Sequence, residues 1–151
     1  MSGADPAKTP APAAPALTPS DSLRSFLTRW RALQRNPPAQ LRPLTVAVTA
    51  SFTVELLLPY LGVLLAQRGL LARFVVAPFN QIQQSLLDPQ SPLRAERADV
   101  TLVLPRLEEL CPAPLAALAS LRHPADARAA ALAEIDRLLT ALSGFARNGN
   151  G

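Results

Sequence analysis

The side chains able to do chemistry are few and widely spaced. Ser51 lies in Thr49-Ala50-Ser51-Phe52-Thr53, where a β-branched run stops and an apolar helical pattern begins. A strand–turn–helix junction of this kind puts small hydroxyls at the carboxyl end of a strand, where open parallel sheets bind ligands. A serine hydroxyl reacts only when a base takes its proton and a further group orients that base. The one histidine, His123, stands just before Pro124 and reads as a cap or surface residue rather than a base. The one cysteine, Cys111, stands between Leu110 and Pro112 and reads as a small buried hydrophobe, with no disulfide possible within the chain. No phosphate-cradling Gly-rich loop and no Cys/His/Asp cluster of metal-ligand spacing occurs, so no metal site and no cofactor are expected.

The elements that must position these groups read as an α/β chain. Residues 1–19 are Ala, Pro, Thr and Ser with almost no large side chains, and are expected to be disordered. A helix capped by Ser20 or Asp21 runs to about Arg35, with Leu23, Phe26, Leu27, Trp30 and Leu33 on one face, and Asn36-Pro37-Pro38 ends it. Leu44–Ala50 is the first strand. A helix over about Val54–Arg68 follows, with Leu57, Leu58, Leu61, Leu64 and Leu65 inward, Pro59 in its first turns or kinking it, and Gly69 as its stop. Ala72–Ala77 is the second strand, and Pro78-Phe79-Asn80 opens a helical segment to about Leu87. Asp88-Pro89-Gln90-Ser91-Pro92 is a turn, Leu93–Arg97 one helical turn, and Asp99–Leu104 the third strand. The second and third strands are nearly continuous apolar runs, as in sheets covered on both faces. A short helix over Leu115–Leu121 precedes an amphipathic one over about Ala125–Phe145, striped with Leu132, Ile135, Leu138, Leu139 and Leu142; 147–151 is a flexible end.

Right-handed crossovers turn this order into a small three-layer parallel sheet of order 2-1-3, within a single domain spanning 20–146. Three loops then gather at the carboxyl ends of the strands: Thr49–Thr53, Pro78–Gln81 and Pro105–Glu109. The candidate binding rim is Thr49, Thr53, Asn80, Gln81, Arg106 and Glu108, with Ser51 as the candidate nucleophile. Arg106, Glu108 and Glu109 are expected to form surface ion pairs or a partner contact. The unpaired third-strand edge is open to homo-oligomer formation.

Net charge is +4, and Lys8 is the only lysine. Arg24, Arg29, Arg31, Arg35 and Arg42 are opposed locally by Asp21 alone. Their default role is a solvated helix face; Arg24, Arg31 and Arg35 are the candidates for docking an acidic protein. No aromatics interleave with a second basic stripe, so nucleic acid is not an expected partner. Leu44–Ala66 is apolar, but Glu55, Pro59, Gly62 and several hydroxyls interrupt it, and it reads as a buried strand plus a buried helix rather than a membrane span. The start lacks the pattern of a signal peptide, so a cytoplasmic location is expected.

Five ordered pieces between Thr45 and Leu110 resemble the N-terminal domain of FkbH-like (HAD-IIIC) proteins of polyketide and nonribosomal peptide assembly. They are Ala-Ser-Phe-Thr at 50–53, Arg68-Gly69-Leu70, Ala77-Pro78-Phe79-Asn80-Gln81, Leu87-Asp88-Pro89-Gln90-Ser91 and Val103-Leu104-Pro105-Arg106-Leu107-Glu108-Glu109. The resemblance implies an SGNH-hydrolase-like, flavodoxin-like fold, with Ser51 on the nucleophile position and Thr53 on the threonine of the Gly-Asp-Ser-x-Thr block. Thr49 and Ala50 replace the block's Gly and Asp, no Asp is followed three residues later by His, and no Asp-x-Asp-x-Thr phosphatase motif is present. The expected function is therefore a noncatalytic interaction domain of such an assembly line, contacting a carrier protein or a neighbouring catalytic domain. The alternative is an esterase or acyltransferase using Ser51 with a base from another chain. Ser51 and Thr53 are expected first of all to cap the helix that follows them.

Overall fold

The computed structural model describes residues 22–119 and 124–148. The predicted disorder of residues 1–19, the lone lysine and His123 lie outside the described residues.

Three parallel strands form one sheet of order β2-β1-β3: β1 (Arg42–Ala50), β2 (Leu70–Val76) and β3 (Val100–Leu104). The predicted order is therefore the observed one. Only β1 is covered on both faces: Val46, Ala47, Val48, Thr49 and Ala50 are all buried, whereas β2 and β3 are largely half-buried edge strands. Their nearly continuous apolar runs thus do not signify full coverage. Burying a valine such as Val46 or Val48 stabilises by about 1.5–3 kcal/mol, so the central strand anchors the fold.

The pleat sends alternate β1 side chains into two separate cores. Val46, Val48 and Ala50 meet α2 (Leu57–Gln67) through Leu58 and Leu65. Ala47 meets the opposite layer, where Ile82 and Leu86 of α3 (Ile82–Leu87), Leu93 of α4 (Pro92–Ala95), and Leu138 and Ala141 of α7 (Pro124–Asn148) pack together. The short α5 (Leu107–Leu110) and α6 (Pro112–Ala119) lead from β3 to α7. Helix α1 (Leu23–Arg35) is an extra element lying on α2 and the outer part of the sheet: Phe26 meets Tyr60 with ring centroids 4.2 Å apart, and Trp30 meets Phe74 at 5.6 Å.

Several local expectations shift. The cap of α1 is Ser22, whose Oγ accepts from Ser25 N–H at 3.4 Å, rather than Ser20 or Asp21. Pro59 sits in the first turn of α2, where its missing N–H costs no helical bond. Leu57 and Leu64 of the predicted inward stripe are exposed, and Pro59, Gly62 and Val63 are buried instead, because α1 covers the flank of α2 that carries Gly62. On α7 likewise, Leu132 and Leu139 are exposed while Ala127 and Ala141 are buried. Helix α7 also runs through 147–148, where a flexible end is predicted. Gly69 ends α2 at φ +80°, the left-handed conformation that suits glycine.

Candidate functional site

The three loops at the carboxyl ends of the strands meet as predicted, and short hydrogen bonds fasten them together. Ser51 N–H donates to Leu104 O at 3.2 Å, tying the first loop to β3. Asn80 N–H donates to Ala50 O at 3.1 Å, tying the second loop to the first. Asn80 has φ 54°, a left-handed conformation that asparagine tolerates better than most residues. The Ser51 side chain completes the set: its Oγ accepts from Arg106 N–H at 2.7 Å.

Neither Ser51 nor Thr53 caps α2. The chain makes a further turn through Val54–Leu57, whose Val54 carbonyl accepts from Leu57 and Leu58 N–H, and the N-cap place falls to Leu56 without any side-chain bond. Thr53 is exposed. Ser51 has left the helix and serves the loop after β3.

A cleft of about 260 Å³ opens beside Ser51, lined by Asn80, Gln84, Pro105, Glu109 and Glu134 among others. Ser51 itself is only 3% exposed. Two carboxylates thus share its cleft, yet among the described residues neither a carboxylate nor an imidazole hydrogen-bonds to its Oγ. The Glu134 carboxylate is held by Arg137, one turn away on α7. The sequence reading does not single out Glu134; nothing in its neighbourhood on α7 marks it, and only the packing of α7 against α3 brings it to the strand ends.

The remaining rim residues divide. Thr49 is fully buried, and its Oγ1 has no hydrogen-bond partner, so it belongs to the interior rather than to the rim. Asn80, Gln81, Arg106 and Glu108 are exposed. Arg106 Nε approaches Glu108 Oε2 at 3.9 Å, a long exposed pair that contributes little to stability. Around them stand apolar side chains that the sequence reading leaves unassigned to the site: Leu56, Phe79 and Leu107 are 61%, 63% and 47% exposed.

The three docking arginines do not gather at this rim. Helices α1 and α2 run side by side in the same direction, since Phe26 meets Tyr60 early in both and Leu33 shares a groove with Ala66 and Gln67 late in both. Arg24 therefore lies toward the strand carboxyl ends. Arg31 and Arg35 lie toward the opposite edge, where Leu33 and Gln34 border a groove with Pro43 and Leu71 at the starts of the strands.

Cys111 is fully buried, and its Sγ lies 3.7 Å from Ala131 O of α7. Burial pushes its thiol pKa up, the Glu134 charge adds to the shift, and Arg137 opposes it. It is a packing residue. Among the described residues no group of His, Cys, Asp and Glu could hold a metal ion, and no helix is long and apolar enough to cross a membrane.

Fold and rim together define a three-layer α/β domain whose strand-end loops are closed by their own hydrogen bonds. No family profile and no curated protein matches the sequence. Among solved structures, the crystal structure of the N-terminal part of the protein BF1531 from Bacteroides fragilis, containing a phosphatase domain complexed with Mg, is similar with a TM-score of 0.50 and 23% identity. The similarity covers 59% of this chain and 23% of that one. At this identity the likeness shows the fold alone, and this chain spans about a quarter of the length of that structure.

Proposed function

We propose that this chain is a noncatalytic docking domain working in the cytoplasm beside a phosphatase-type unit of the FkbH-like kind, in polyketide or nonribosomal peptide assembly. Its strand-end rim receives an acidic carrier protein. The observation that carries this reading is the hydrogen bond from Arg106 N–H to Ser51 Oγ. A nucleophilic serine needs a lone pair aimed at open space for the substrate and a base to accept its proton. This oxygen has a lone pair engaged by the backbone, makes no bond to a base among the described residues, and is nearly closed off from solvent. The hydroxyl is a rivet between two loops. Support for docking comes from Phe79, Leu56 and Leu107, which supply exposed apolar anchors, and from Arg106 and Arg24, which supply positive charge at the same end. The similar fold in a phosphatase-domain protein supports the choice of neighbour.

The test is a titration of the purified chain with an acidic acyl or peptidyl carrier protein at low salt, followed by amide shifts. Shifts at Phe79, Arg106 and Leu107, reduced in Arg106→Glu, are expected. No binding to any carrier tried would remove the carrier from the reading.

The second reading is an esterase or acyltransferase in which another chain supplies the base. The opening of a cleft beside Ser51, with the Asn80 amide on its wall, favours it. Covalent labelling by a fluorophosphonate probe in the presence of the assembly-line partner, lost in Ser51→Ala, would establish it over the docking domain.

A further inference from the structure

We infer that the outer edge of β3 pairs with the β3 edge of a second copy of this chain, extending the sheet across a two-fold axis. Among the described residues β3 pairs with β1 alone, so one side of its backbone has no partner strand. The register identifies which amides are free for pairing. Leu104 O accepts from Ser51 N–H of the first loop, which continues β1, and amide direction alternates along a strand. Val100, Leu102 and Leu104 therefore turn their amides toward β1, and Thr101 and Val103 turn theirs outward.

Native sheets usually protect such an edge with lysine, proline, a bulge or a covering element. Val100–Leu104 reads Val-Thr-Leu-Val-Leu, with no charge and no proline. It is also self-complementary. A two-fold axis normal to the sheet and passing beside Leu102 sets Thr101 opposite Val103 of the second copy. Both residues have outward amides, so the two symmetric pairs form about four backbone hydrogen bonds. The same register sets Val100 opposite Leu104, joining the apolar row of exposed Val100 and half-buried Leu102 and Leu104 to its symmetry mate on one face. At each end Asp99 of one copy comes within one residue of Arg106 of the other, so the charges flanking the apolar run are opposite in sign and attract. A shift by one residue would put side chains of opposite faces against each other, and a shift by two would carry Pro105 or Asp99 into the ladder. This proposal is independent of the carrier reading, since no rim side chain other than Arg106 takes part.

The experiment is sedimentation of the full chain between about 10 µM and about 1 mM, the range in which so short a ribbon would associate. A concentration-dependent dimer is expected, and Thr101→Pro is expected to weaken it at least tenfold while keeping the far-ultraviolet circular dichroism of the wild type. Proline removes only an outward N–H there, leaving the β1 ladder intact. If that variant fails to fold, amide exchange of the wild type decides: protection of Thr101 and Val103 amides must rise with concentration. A chain that stays monomeric throughout the range overturns the proposal and leaves the edge to a strand of a different protein. A dimer indifferent to Thr101→Pro, or unchanged exchange at Thr101 and Val103, overturns it as well.

Discussion

At the scale of single residues, the fate of three small side chains follows from what each oxygen or sulfur meets. Ser51 Oγ is the acceptor for Arg106 N–H. Ser51→Ala strands that donor in a closed loop, so a loss of about 1–3 kcal/mol is expected in urea unfolding. A serine kept for reaction alone would lose little stability on the same change. Thr49 presents the opposite case, since its buried Oγ1 has no partner to lose. Thr49→Val keeps the shape and removes an unsatisfied hydroxyl, so a gain of about 1 kcal/mol is expected in the same measurement. Cys111 makes a prediction about pH. Its folded pKa is raised by burial and by Glu134, against the opposing Arg137, so the folded state holds the thiol proton to higher pH than the unfolded state does. The stability this confers is complete below the ordinary thiol pKa and is lost as pH rises through the raised folded value. Unfolding measured from pH 7 to pH 10 is expected to show a steeper alkaline loss in the wild type than in Cys111→Ala.

Between elements, the contact of α1 with α2 turns on Gly62. A Cβ at that position would overlap the Trp30 ring, which also meets Phe74 of β2. Gly62→Ala is therefore expected to cost about 1–3 kcal/mol, despite the better helix propensity of alanine, and to shift Trp30 fluorescence. The same contact explains why the leucine pattern of α2 misleads. Five leucines at helical spacing predict one inward stripe, but a helix between a sheet and a second helix buries a wider arc: Leu58 and Leu65 pack on the sheet core as predicted, while a glycine, a proline and a valine are the buried residues. Leu57 and Leu64 are left facing outward. On α7 the alanines Ala127 and Ala141 are buried while Leu132 and Leu139 are not. Close approach selects small residues where two elements touch, and periodicity of large apolar side chains cannot report that.

Over the whole molecule, the shared direction of α1 and α2 places the rim and the end of α1 at opposite ends of the strands. Arg31 and Arg35 therefore do not join Arg24 and Arg106 at the rim. If an acidic partner binds at the rim, Arg106→Glu is expected to weaken it directly. The pair Arg31→Glu and Arg35→Glu is expected to matter only at low salt, through a field that about 0.15 M salt screens within about 8 Å. Affinity measured at two salt concentrations separates the two.

The alternation of strand and helix patterns, the stops at Asn36-Pro37-Pro38 and Gly69, and the right-handed crossover rule were enough to give the 2-1-3 parallel sheet and its three carboxyl-end loops from residues alone. Those features rest on local backbone preference and on chain connectivity, which a sequence carries directly. The use of each hydroxyl was not legible. Ser51 and Thr53 have the types and spacing of caps, yet an intervening turn moves the helix start away and the third loop claims Ser51 from 55 positions along the chain. Glu134 reaches the Ser51 cleft from still farther off, by the docking of α7. Which oxygen meets which donor depends on contacts between segments remote in sequence, and only the packed tertiary structure sets those.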